Sequence, residues 1–95
     1  MEYTKGEWEA YPEDKCGDKW YICAGEGGEK GIAKTVRDDT ISKQERETNA
    51  RLIAAAPDLY EACIQAMRTL QARGIKELDP RYMKLRQAIA KAETV

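Results

Sequence analysis

Residues Glu47-Thr48-Asn49-Ala50-Arg51-Leu52-Ile53-Ala54-Ala55-Ala56-Pro57-Asp58-Leu59-Tyr60-Glu61-Ala62-Cys63 constrain the fold of this chain more than any other stretch. They spell two helices that meet at a proline. The first has a polar start and closes on three alanines, and Pro57 stops it, since an interior proline removes a backbone donor and crowds the preceding turn. The same proline opens the next helix, where its missing N–H costs nothing, and Asp58 then complements the positive end of the helix dipole. The three alanines form a thin wall that another element can approach closely. Asn49 falls three and four residues before Leu52 and Ile53, which places its amide on the expected apolar face. An amide there is either a buried hydrogen-bonding post or part of a recognition surface.

Upstream, the period changes. Glu7–Tyr11 and Lys19–Ala24 are short aromatic-rich runs separated by a stretch of turn residues, Pro12 to Asp18. In the second run Trp20, Ile22 and Ala24 point one way and Tyr21 and Cys23 the other. A glycine-rich hairpin loop, Gly25 to Glu29, leads into a third strand over Lys30–Val36 with Ile32 and Val36 on one face. Downstream, Ser42 or Thr40 can cap the first helix, with Glu45 at capping-box distance from Ser42. The second helix, from Pro57 to about Arg73, carries the stripe Leu59, Cys63, Ala66, Met67 and Leu70, and Gly74 is its natural C-cap. Asp79-Pro80 starts a third, with Tyr82, Leu85, Ile89 and Ala92 as its stripe. The expected fold class is α+β: a three-stranded antiparallel meander followed by three helices (βββααα), with helices on one face of the sheet. Ninety-five residues make a single domain, a β meander over 1–40 and a helical part over 41–95.

A chain of this length buries only about 60% of the surface its unfolded form exposes, so association with further copies is expected to help it. Homodimers or higher homo-oligomers are the expectation, through the third helix and whichever strand aromatic faces outward. No apolar run approaches the roughly 20 residues that span a bilayer. Met1 leads into Glu2 and Lys5 without an apolar core, so no secretory signal is expected and the compartment is the cytoplasm. The net charge of −1 hides an asymmetry: residues 1–40 hold ten acids and six bases, residues 41–95 ten bases and seven acids. The basic excess lies between Arg68 and Lys91, either a solvated helical surface or an anion-facing edge.

Catalytic signatures are absent from the sequence. There is no histidine for acid–base work, no nucleophile elbow, and the glycine-rich loop lacks the ending of a phosphate-binding loop while carrying Glu26 and Glu29. Cys16, Cys23 and Cys63 have no paired spacing, so no metal and no cofactor is expected and the thiols read as small hydrophobes or loop residues. The chain is therefore not expected to be an enzyme.

The Asn49–Ala62 segment resembles the Asn-Ala-Arg-Leu-Ile-Ala-Ala-Ala-Pro-(Asp/Glu)-Leu-(Leu/Tyr)-Glu-Ala helical segment of many small phage and prophage proteins, mostly uncharacterised. Those proteins often carry a Trp-containing stretch and an Ile-Ala strand upstream, as Trp8, Trp20-Tyr21 and Ile32-Ala33 do here. The resemblance covers roughly residues 5 to 67 and implies a phage origin, hence the cytoplasm of an infected bacterium, far more firmly than an activity.

Binding is the better reading. Trp20 and Tyr21 are neighbours on one strand, so one of them lies on the outer face. Aromatics with nearby Arg or Lys are how nucleotides are commonly held, and Arg51 beside Asn49 near a helix start is a candidate anion anchor. Arg51 can equally pair with Glu47 on a solvated face. The candidate ligand- or partner-binding residues are Trp8, Trp20, Tyr21, Asn49 and Arg51. The function these features favour is phage counter-defence by stoichiometric binding, either blocking a host immune protein such as a CRISPR effector or sequestering a nucleotide signal. The alternative is a phage accessory protein that binds nucleic acid or serves as a structural interaction module, less favoured because strong nucleic-acid binders are usually net basic.

Overall fold

The strands form where side chains alternate and the helices where they recur every three to four residues. A computed structural model describes residues 2–15, 18–25, 27–36, 38–75 and 78–93. Its elements are β1 (Trp8–Pro12), β2 (Trp20–Ala24), β3 (Lys30–Lys34), α1 (Lys43–Ala54), α2 (Ala56–Ala72) and α3 (Pro80–Glu93). The three strands are antiparallel in the order β1-β2-β3 and precede the three helices, an α+β fold. Packing divides the chain into two compact units, Glu2–Ala56 and Pro57 onward. The strand-to-helix switch near residue 40 is thus not where packing divides: α1 goes with the strands.

In the first unit β2 is the central strand. Trp20, Ile22 and Ala50 form the buried centre, and Trp8, Ala10, Ile32, Ala33, Ile53 and Ala54 pack around it. Ala50 is wholly buried, because a methyl group is all that fits where α1 comes closest to the sheet. The pairing slips by one residue between Ile22, opposite Ala33, and Cys23, opposite Gly31, so Ile32 is an extra residue on β3. A bulge of this kind breaks strict alternation, and both Ile32 and Ala33 reach the core. The expectation that Ile32 and Val36 share a face fails for the same reason. β3 ends at Lys34, and Val36 is 78% exposed.

The start of α1 follows its sequence. The Ser42 hydroxyl accepts from the Glu45 N–H at 3.1 Å, and the Ser42 N–H donates to Glu45 Oε1 at 3.4 Å, closing a capping box. One turn on, Arg46 is buried, a rare place for a charge. Its Nη1 donates to the carbonyls of Asp38 (3.2 Å) and Ile41 (3.1 Å), and its Nη2 to Asp18 Oδ1 at 3.3 Å. One guanidinium thus ties α1 to the loop before it and to the approach to β2. Its Nε–H has no partner among the described residues.

In the second unit, Gly74 ends α2 at φ +76°. Its N–H donates to the carbonyl of Gln71, and that of Ile75 to the carbonyl of Leu70, the paired bonds of a Schellman cap that only a residue at ease in the left-handed region closes without strain. Asp79 caps α3: its Oδ1 accepts from the Arg81 N–H at 2.8 Å, and its carboxylate takes the Arg81 guanidinium at 3.0 and 2.9 Å. Those bonds hold the Asp79 carboxyl down at about 2. Side-chain bonds join the helices, Tyr60 to the Glu93 carboxylate at 3.1 Å and Gln71 Nε2 to the Tyr82 hydroxyl at 2.9 Å among them. Tyr82 and Ile89 of α3 are buried, whereas no residue of α2 is.

Candidate functional site

Because α1 covers one face of the sheet, the residues that alternate with the core line the other. The register pairs Glu9 with Cys23 and Tyr11 with Tyr21, and directly opposed residues of an antiparallel pair share a face. Glu7 extends the same alternation by one step. Glu7, Glu9, Tyr11, Tyr21, Cys23 and the glycines of the β2–β3 loop surround a concavity of about 480 Å³. Glu26, within that loop, lies outside the described residues.

Each part of this surface has a local cause. Cys23 is nearly wholly buried at the base, and Gly28 lies against it. A Cβ at Gly28 would stand 2.9 Å from the Cys23 sulfur, and the backbone there has φ +68°, so glycine is required twice over. The Tyr21 hydroxyl sits over the backbone of Gly31, where no side chain intervenes. The Tyr11 hydroxyl donates to Glu9 Oε2, and this bond, more than burial or the nearby charges, raises the phenol above its ordinary pKa. Lys34 flanks the edge, its ammonium 5.7 Å from the Tyr21 ring centroid and 3.2 Å from the Glu13 carboxylate. Two carboxylates and two phenol rings around a hollow suit a cation, with carboxylates for its charge and ring faces for its hydrocarbon or guanidinium plane. An anion would meet Glu7 and Glu9 first.

The sheet plane divides the residues singled out from the sequence. Tyr21 stands on this outer face. Trp20 is buried on the opposite one, and Trp8 is half-buried beside it with its indole N–H donating to the Thr4 carbonyl at 2.9 Å. Arg51 joins Trp20, its guanidinium carbon 5.9 Å from the ring centroid, and also pairs with Glu47 at 3.0 Å. Trp8, Trp20 and Arg51 therefore share one side of the sheet and Tyr21 the other. Asn49 is exposed and off the apolar face, contrary to expectation. The buried side of α1 runs through Arg46, Ala50, Ile53 and Ala54, and Asn49 is a quarter-turn away from it. Leu52, taken as an apolar-face marker, is 61% exposed. The sheet selects the alanine side because small residues let the helix approach Trp20 and Ile22.

Glu7, Glu9 and Tyr11 were not recognised as a group from the sequence. Their signal was the period-two pattern of Glu7, Glu9 and Tyr11 against Trp8, Ala10 and Pro12, which puts three polar or amphipathic side chains on one face. Cys16 lies outside the described residues; Cys23 and Cys63 are free thiols, the first buried and the second half-buried. Among the described residues no group of three or more acids and thiols is placed to hold a metal ion, and no helix is long and apolar enough to cross a membrane.

The fold and this face define a small α+β protein with an acidic, aromatic sheet surface. The chain belongs to the family described as Salmonella phage P22 protein Y8K6, whose model matches residues 1–94. No curated protein and no solved structure matches it.

Proposed function

We propose that this phage protein is a non-catalytic binding protein that neutralises a host defence component stoichiometrically, with its outer sheet face taking a basic segment of a host protein. The observation that carries this reading is the concavity framed by Glu7, Glu9, Tyr11 and Tyr21. A lysine or arginine entering it gains carboxylate partners and an aromatic wall, and the rigid sheet holds both in place before binding. Sequestration of a nucleotide signal is less well supported. The carboxylates repel phosphate, and Arg51, the expected anion anchor, already spends its charge on Glu47.

The test is protection of phage from host defence by the protein supplied in trans. The double variant Glu7→Lys/Glu9→Lys alters exposed residues, so its thermal stability is expected to stay within a few degrees of wild type while protection is lost. A co-purified host protein is expected to leave the wild-type protein as salt rises well above 0.15 M, where the screening length falls below about 8 Å. Full protection by the double variant rules out this face. A nucleotide released when the purified protein is denatured replaces the basic segment with a nucleotide ligand.

A further inference from the structure

We infer that α2 is a homodimerisation element, pairing antiparallel with α2 of a second copy along a seam formed by Leu59, Cys63, Ala66 and Leu70. These residues follow one another at spacings of four, three and four, the a/d rhythm of a helix-pairing seam. At 100° per residue they fall in a strip about 60° wide. Tyr60 and Gln71, which bond to α3, lie on an adjoining strip of the same helix. Leu59 is half exposed, Ala66 is exposed, Cys63 and Leu70 are half-buried, and α2 has no buried residue along its 17 positions. A soluble helix with such a stripe normally buries it.

The pattern itself selects the occupant. About a two-fold axis between Ile64 and Gln65, Leu59 of one copy meets Leu70 of the other and Cys63 meets Ala66, so the seam is its own complement when reversed. A closed two-fold dimer needs that self-complementarity. The small residues at the middle let the helix backbones approach, and the leucines close both ends. Charge agrees with the antiparallel sense. Asp58 opens α2 and Arg73 follows its end, both exposed. Reversal brings Asp58 of one copy within two residues, about 3 Å along the axis, of Arg73 of the other. Parallel pairing would set like charges together at both ends. The flank away from α3 carries Ala62 and Thr69, which add no charge to oppose contact. A seam this short lies at the low end of interface sizes, so association in the micromolar range is expected. This pairing uses a different surface from the outer sheet face.

Sedimentation equilibrium under reducing conditions, from about 1 to 200 µM to bracket that range, tests it. The wild-type mass is expected to climb from 10.8 kDa toward twice that value, and Leu59→Arg to stay monomeric throughout. Asp58→Arg and Arg73→Asp are each expected to weaken the dimer about fivefold or more, and the two together to restore it to within about twofold, since the pair is exchanged rather than removed. The double exchange keeps the assay informative even where Leu59→Arg fails to fold. A wild-type protein monomeric over the whole range overturns the inference. So does a dimer indifferent to all four changes.

Discussion

Replacing Arg46 by methionine keeps most of the aliphatic stem and removes the guanidinium, so it isolates what that group contributes. Two effects oppose each other. Buried charges lose hydration, and an apolar replacement of a buried ion pair is often neutral or even stabilising. Here only one partner leaves. The carbonyls of Asp38 and Ile41 and the Asp18 carboxylate stay behind, and each acceptor left without its donor costs about 1–3 kcal/mol where water cannot replace it. Asp18 retains 32% side-chain exposure, so water recovers part of its share and the carbonyls dominate. The net loss expected is about 2–3 kcal/mol, which for a chain of this size lowers Tm by roughly 10–20 °C. Arg46→Lys keeps the charge but not the planar fork that reaches three acceptors, and is expected to lose about half as much. Arg51→Met is the control: its pair with Glu47 is 69% and 42% exposed and is worth at most about 0.5 kcal/mol. Urea unfolding followed by tryptophan fluorescence reads this unit directly, since Trp8 and Trp20 both lie in its core. An Arg46→Met protein within about 0.5 kcal/mol of the Arg51→Met control would refute the idea that this guanidinium organises the entry to α1.

Among the described residues Ile22 is the largest wholly buried side chain, and Ile22→Ala is expected to cost about 3–4 kcal/mol in the same urea assay, the transfer of the lost carbons plus an unfilled cavity. A loss under about 1.5 kcal/mol would mean that the sheet collapses onto α1 to fill the space. For Asp79, whose folded pKa near 2 lies below the ordinary 3.8, the sign is set by the depressed value. Its contribution is complete above about pH 4 and is lost as pH falls toward 2. Helicity melts between pH 2 and 5 are expected to show this slope in wild type and a flatter one in Asp79→Asn, which keeps the cap without the charge; parallel slopes would show that the Arg81 pair does not matter to α3.

The elements themselves were legible in the sequence, because their signals are local. Ser42 with Glu45, Gly74, and Asp79 with Pro80 each satisfy or end a helix through neighbours within a few residues, and the structure uses all three. The break expected at Pro57 falls at Ala55, between the end of α1 at Ala54 and the start of α2 at Ala56. Alternation likewise separated Trp20 from Tyr21. What local pattern does not specify is which side of an element meets which neighbour. Asn49 sat on the apolar face only as long as Leu52 and Ile53 were taken to define that face. Packing rotated α1 so that Ala50 met Trp20 and Ile22, which left Asn49 and Leu52 in solvent. The bulge at Ile32 depends on the pairing between β2 and β3, and the burial of Arg46 on acceptors as far away as Asp18, so neither had a sequence signature. The outer face joins Glu9 to Cys23 and Tyr11 to Tyr21 across strands. Such neighbours are made by register, which long-range packing sets. The chain thus carried its own strands, helices and caps, and only the tertiary structure decided which surfaces were spent on the core and which were left exposed.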